Sequence, residues 1–199
     1  MVNTKLLPLV ALISGRGSNL QAIIDQSQSG QLPVEIRAVI SNRLQAQGLA
    51  RAHHAGIKTH VLNQQYTHRE IFDKTLMNLI DSYTPKLVVL AGFMRILTPR
   101  FVHHYKGRLL NIHPSLLPNF PGLDTHQRAI QAGVKEHGAT VHFVTDKVDQ
   151  GPIILQARVP VYPDDTPDIL AARVLKEEHR IYPEAIRAFA EKKIIFKDE

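Results

Sequence analysis

Residues 7–30 read LPLVALISGRGSNLQAIIDQSQSG: an apolar run, a glycine turn, then apolar residues at helical spacing. Together with the preceding MVNTKL the run resembles a weak signal peptide. Pro8 interrupts it, however, no small-residue cleavage site follows, and GRGSN comes next, so a strand over roughly residues 6–13 is the better reading. Leu20, Ile23 and Ile24 then share one face of a helix that closes at Gly30. A strand, a tight turn and a helix form the first unit of an α/β fold.

The same alternation continues along the chain. VEIRAVIS is a second strand, QAQGLARAHHAG a helix with Gly56 at its C-terminal end, and IKTHVLN a third strand. HREIFDKTLMNLIDSYT places Ile71, Leu76, Leu79 and Ile80 at helical spacing, and PKLVVLAGF is a fourth strand buried on both faces. This order predicts a parallel sheet with right-handed crossovers and helices on both sides. After RLLNIH the pattern changes. THQRAIQAG is a short helix, and GATVHFVT and GPIILQARVPV are strands joined by the loop DKVDQ, hence an antiparallel pair. A last helix runs from about Thr166 to Lys192, with Pro183 able to kink it. With no linker, repeat or low-complexity stretch, the expectation is one α/β domain over residues 1–199. Its sheet is Rossmann-like, twisted and mainly parallel, with about seven strands and an antiparallel pair in the C-terminal half. Ligands bind such sheets at the carboxyl ends of the strands.

Composition limits the function. The 199 residues suffice for a sizeable core, and no apolar run approaches the roughly 18 residues of a membrane helix. The absence of cysteine excludes disulfides and thiolate metal sites and fits a reducing cytoplasm. A net charge of +6 favours anionic partners. The basic residues are scattered and no aromatic nucleic-acid motif accompanies them, so small anions are preferred to nucleic acid.

Two motifs carry chemistry. In GRGSNL, Gly15 and Gly17 permit a tight turn, the helix N-terminus offers free N–H groups, and Ser18 and Asn19 add donors. A phosphomonoester suits this turn. Leu20 replaces the third glycine of a dinucleotide fingerprint, and no GK[ST] of a P-loop follows. The plainer alternative is a glycine turn with Ser18 as helix N-cap. In RLLNIHPSLLPNFPG, residues 108–122, a strand from Leu109 to His113 puts Asn111 and His113 on one face and Ile112 on the other, and Pro114 ends the pairing. The loop TDKVDQGP can bring Asp146 or Asp149 over the same edge. An amide donor, an imidazole and a carboxylate can stabilise a tetrahedral oxyanion and move protons around it. No Ser or Cys nucleophile is evident, which points to direct transfer between two bound substrates. His113, His126 and His142 could converge on a metal, but no metal-ligand spacing is present and none is expected. Met94, Ile96 and Leu97 could wall an apolar cleft with Arg95 at its rim.

SGRGSNLQAII, VVLAGFMRIL, LLNIHPSLLPNFPG, HGATVHFVTDKVDQGPII and EEHRIYP, in this order over nearly the whole chain, resemble the phosphoribosylglycinamide formyltransferase family. The resemblance implies transfer of a formyl group from 10-formyltetrahydrofolate, as co-substrate and without a metal, to the amine of glycinamide ribonucleotide in purine synthesis. It implies that Gly17, Ser18 and Asn19 hold the substrate phosphate, with Glu178 on the ribonucleotide. Asn111, His113 and Asp149 match the catalytic trio. Arg69, Met94, Arg95, Ile96, Leu97, Asn111, Thr145, Asp146, Lys147, Val148 and Asp149 match folate-binding positions. The half before about residue 100 would bind phosphate and the rest would carry catalysis. Gln150 stands where relatives often have Gly. The implied partners are small molecules, with no nucleic acid or membrane, and the implied assembly is a monomer or weak homodimer.

Three alternatives share parts of this pattern. Methionyl-tRNA formyltransferase has the Asn-x-His element but needs a further C-terminal domain. Formyltetrahydrofolate hydrolase has the trio but an extra N-terminal domain. A non-enzymatic folate- or phosphoribosyl-binding module would not need Asn111, His113 and Asp149 together. The residues leave the isomer of the bond before Pro118 open.

Overall fold

The computed structural model describes residues 6–63 and 68–196. Strand β1 (Leu7–Ile13) leads through the glycine turn to α1 (Ser18–Gln28), then come β2 (Val34–Ser41), α2 (Gln47–His54), β3 (Thr59–Val61), α3 (Arg69–Ser82) and β4 (Leu87–Leu90). The second half contains α4 (Pro99–His104), β5 (Leu109–His113), α5 (Thr125–Gln131), β6 (Glu136–Phe143), β7 (Ile153–Pro160) and α6 (Pro167–Ala190). Seven strands form one sheet in the order β3-β2-β1-β4-β5-β6-β7. The first five run parallel, and β6 is antiparallel to both β5 and β7. The predicted fold class and antiparallel pair are therefore observed.

Side-chain alternation divides the core into two layers. On one face Leu9, Ala11, Ile13, Leu87, Val89, Leu110 and Ile112 pack against Leu20, Ile23 and Ile24 of α1 and Leu170, Val174, Ile181 and Tyr182 of α6. On the other, Val10, Leu12, Val88, Leu90 and Leu109 pack against Phe72, Leu76, Met77 and Ile80 of α3 and Phe101 and Tyr105 around α4. Asn111 and His113 belong to this second face, in step with Leu109.

Several local expectations change. Helix α3 turns Phe72, Asp73, Leu76, Met77 and Ile80 inward, leaving Ile71 exposed and Leu79 only half-buried. An aromatic ring removes more area from water than Ile71 would, and one residue shifts the face by about 100°. Helix α4, too short to leave a periodic signal, is marked by a cap: Thr98 Oγ1 accepts from Phe101 N and Pro99 occupies the first turn. Strand β3 shrinks to three residues. Ser18 is not the N-cap of α1. That position belongs to Gly17, in the left-handed region at φ 71° and without a side-chain cap bond. As expected, one helix, α6, runs through Pro183, and the Leu117–Pro118 bond, left open by the residues, is cis.

Gly17 is fixed by space as well as by φ. A Cβ there would stand 2.5 Å from the Gly48 Cα, where the start of α1 lies against α2. Gly17→Ala combines left-handed strain with a backbone clash and is expected to destabilise the fold by roughly 2 kcal/mol or more. Urea unfolding measures this, and a midpoint equal to wild type would contradict it.

Candidate functional site

Parallel order brings the carboxyl ends of β1, β4 and β5 to one edge of the sheet. The turn Gly17-Ser18-Asn19 leaves β1, and Asn111 and His113 end β5, two strands away. At the usual strand spacing this is about 10 Å across the sheet. At the first turn Asn19 Nδ2 donates to Glu178 Oε2 at 2.6 Å, so α6 delivers a carboxylate to the turn. Burial raises the pKa of Glu178, and the Asn19 bond opposes that shift.

The β5–β6 register sets the other half of the site. Asn111 faces His142 across the pair, and Asn111 Nδ2 lies 3.1 Å from His142 Nε2. His142 Nδ1 is 2.8 Å from the Phe143 carbonyl, which can only accept. His142 therefore carries its proton on Nδ1, and its Nε2 accepts from the Asn111 amide. This ring is buried, and burial pushes its pKa down. His113 is pinned the opposite way. Its Nε2 donates to the Phe120 carbonyl at 2.9 Å, leaving Nδ1 3.5 Å from Asp149 Oδ2. Asp149 Oδ1 lies 3.8 Å from His142 Nε2, and Oδ2 accepts from Gly122 N at 2.9 Å. One carboxylate thus sits between two imidazoles beside the amide of Asn111. Asp149 is left-handed at φ 55°, a conformation that Asp tolerates better than most residues. Gln150 leaves this arrangement in place.

Of the two aspartates considered, only Asp149 reaches the site; Asp146 pairs with His103 at 2.7 Å. Thr145 Oγ1 bonds to the Lys147 carbonyl, and Val148 is exposed. Met94 and Ile96 project to solvent between β4 and α4, while Leu97 packs inward. The Arg95 guanidinium lies 3.9 Å over the Phe72 ring, and Arg69 Nη2 reaches the Leu97 carbonyl at 3.5 Å. A cavity of about 560 Å³ lies on the β2 side of the first turn, lined by Gly15, Arg16, Arg43 and Asn63, and not against Asp149. His126 packs edge-on to His137 at 5.3 Å, and the described residues contain no group of three metal-ligating side chains.

Residues 7–186 match the family profile described as Formyl transferase. The phosphoribosylglycinamide formyltransferase of Escherichia coli strain K12 is 56% identical over 184 residues, spanning 92% of this chain and 87% of that protein. The chain belongs to the formyl transferase family. It is accordingly an enzyme of the transferase class. Solved structures agree. The phosphoribosylglycinamide formyltransferase of Coxiella burnetii gives a TM-score of 0.92 at 54% identity, covering 97% of this chain and 91% of that one. Glycinamide ribonucleotide transformylase 1 of Symbiobacterium toebii gives 0.94 at 48% identity, covering 97% and 92%.

Within this formyl transferase, His142 is the site neighbour that sequence reasoning placed only as a metal candidate. The signal was available in the antiparallel register of β6 against β5, which puts residue 142 opposite residue 111. Behind the site, His137 is buried, and desolvation with the neighbouring His126 pushes its pKa down to about 4. Unfolded, it binds a proton near pH 6.5. Between these values the unfolded chain holds more protons, so stability is full above about pH 6.5 and falls as pH drops toward 4. Urea midpoints across this range should show that slope, and His137→Leu should flatten it.

Proposed function

We propose that this formyl transferase moves the formyl group of 10-formyltetrahydrofolate to the amine of glycinamide ribonucleotide, by direct attack through a tetrahedral intermediate. The observation that carries the reading is the meeting of Asn111, His113 and Asp149 at the sheet edge that also bears the Gly17–Asn19 turn. The N-terminal half would anchor the ribonucleotide phosphate at that turn, with Glu178 accepting from ribose hydroxyls. The second half would supply the reacting groups. Arg69, the Met94–Leu97 segment and the loop from Thr145 to Asp149 would hold the folate.

The pinned rings define the chemistry. The amine attacks the formyl carbon, a C–N bond forms, and an electron pair moves onto the formyl oxygen. Because His142 takes one hydrogen of Asn111 Nδ2, the second hydrogen is what Asn111 offers that oxygen. With Nε2 donating to the Phe120 carbonyl, His113 is the other donor only as the imidazolium, through the Nδ1 proton beside Asp149. Each such donor is worth about 3–4 kcal/mol at the transition state. The amine proton passes to Asp149, directly or through water. The bond from carbon to the folate nitrogen then breaks as Asp149, directly or through water, returns that proton to the nitrogen. Negative charge on the oxygen is met by donors already in place, so the reading needs no metal. Both substrates are anions, and the +6 charge steers them. A cytoplasmic setting accords with the absence of cysteine.

Folate absorbance should change with glycinamide ribonucleotide present, and not with water alone or with charged initiator tRNA. Turnover with water alone at the same rate would make the chain a hydrolase instead. Asn111→Ala and His113→Ala should each lower kcat by about 10²–10³-fold, with the ribonucleotide KM nearly unchanged. An equal rise in KM without loss of kcat would remove these residues from the transition state.

A further inference from the structure

Two buried polar side chains away from the trio have no part in the scheme above. Ser14, at the end of β1, is 2% exposed, and Asp73, on the apolar face of α3, is 1% exposed. Asp73 is surrounded along its helix by Phe72, Leu76, Met77 and Ile80. A carboxylate there is costly compared with an apolar residue of similar size. Both side chains spend their bonding on the same short segment. Ser14 Oγ accepts from Met94 N at 2.7 Å and donates to Asn42 Oδ1 at 2.6 Å, while the Ser14 N–H donates to the Gly92 carbonyl at 3.0 Å. Asp73 Oδ2 accepts from Thr98 N at 2.6 Å, and its Oδ1 is buried without a hydrogen-bond partner.

We propose that Ser14 and Asp73 are positioning residues that clamp the two ends of segment 94–98, holding Met94 and Ile96 out as a preformed folate contact. The inference rests on the folate reading of that segment. Between its anchored ends both apolar side chains are 59% exposed, an arrangement a free loop would lose by folding them inward. Phe72, one residue from Asp73, supports the Arg95 guanidinium in the same segment. A segment ordered before binding loses less entropy when the ligand arrives, so the clamp acts on affinity for one substrate. It touches neither the phosphate-site carboxylate nor Asn111, His113 or Asp149.

Asp73→Leu is the sharpest variant, because it removes the acceptor yet suits the apolar face and should melt as a folded protein. Its folate KM is expected to rise roughly tenfold, the factor for one lost hydrogen bond, with the ribonucleotide KM and kcat within about twofold. Ser14→Ala should act in the same direction, and Asp73→Asn, which keeps an acceptor, should restore most of the loss. Hydrogen exchange without ligand supplies a second reading: amides of 94–98 should exchange faster in Asp73→Leu and Ser14→Ala and not in Asp73→Asn. An unchanged folate KM in an active wild-type background, an equal rise in both KM values, or unaltered exchange in the segment would each overturn the clamp. A wild-type chain that does not formylate the ribonucleotide would overturn the functional reading instead, leaving exchange to decide the clamp. Should Asp73→Leu fail to fold, Ser14→Ala carries the same two measurements.

Discussion

The reversal of β6 is the constraint on which the site depends. Because β6 runs antiparallel, it ends opposite Leu110, Val144 N donates to the Leu109 carbonyl, and the loop 144–152 must run back along β5 to bring Asp149 to His113. Antiparallel pairing fixes two things at once. The register sets His142 beside Asn111, and the following loop, starting opposite Leu110, returns to place Asp149 between His113 and His142. The Phe143 N–H closes that loop onto the Pro152 carbonyl at 2.9 Å. Gly151 is needed where the chain turns back, because a Cβ there would overlap the Phe143 carbonyl. Asp149, in its left-handed conformation, is held by the Gly122 N–H on Oδ2 and faces His142 with Oδ1.

The first turn obeys a different constraint, close approach. Gly17 meets Gly48 where two crossover helices start side by side, and the Gly48 N–H donates to the Gly15 carbonyl at 3.1 Å. Arg51 adds a bond to the Arg16 carbonyl. The turn is thereby built into α2 as well as α1. Glu178 reaches it from α6, far away in sequence.

What sequence could reveal follows from the range of each interaction. Strand β5, its two faces and its end at Pro114 depend on alternation and on a missing N–H, both local, and they were legible. So were α1 and the strand order of the first half, since parallel crossovers leave few topologies. The choice between Asp146 and Asp149 was not local: it depends on how a five-residue loop folds against α4, where His103 takes Asp146. The inward turn of α3 depended on which of Ile71 and Phe72 found the larger apolar surface opposite. Helix α4 had too few residues for a period. The trio itself came from resemblance to a family; alternation placed two of its members on a common face, and only tertiary pairing brought the third.

The opposite pinning of the two imidazoles explains why both are held by main-chain carbonyls and not by side chains. A carbonyl accepts only, so each ring has one nitrogen whose state is fixed by the fold and one that faces the site. For His142 the facing nitrogen is an acceptor, which selects the amide orientation of Asn111 in which Nδ2 points into the cluster. Burial works against charge on this ring, so the selection holds at neutral pH. For His113 the facing nitrogen meets Asp149, where a proton can be shared with a carboxylate. Were the His142 proton on Nε2 instead, Asn111 would turn its carbonyl, and not its NH2, toward that ring. Directionality in this cluster is therefore inherited from backbone geometry at Phe120 and Phe143, which is set by the loop after β5 and the end of β6.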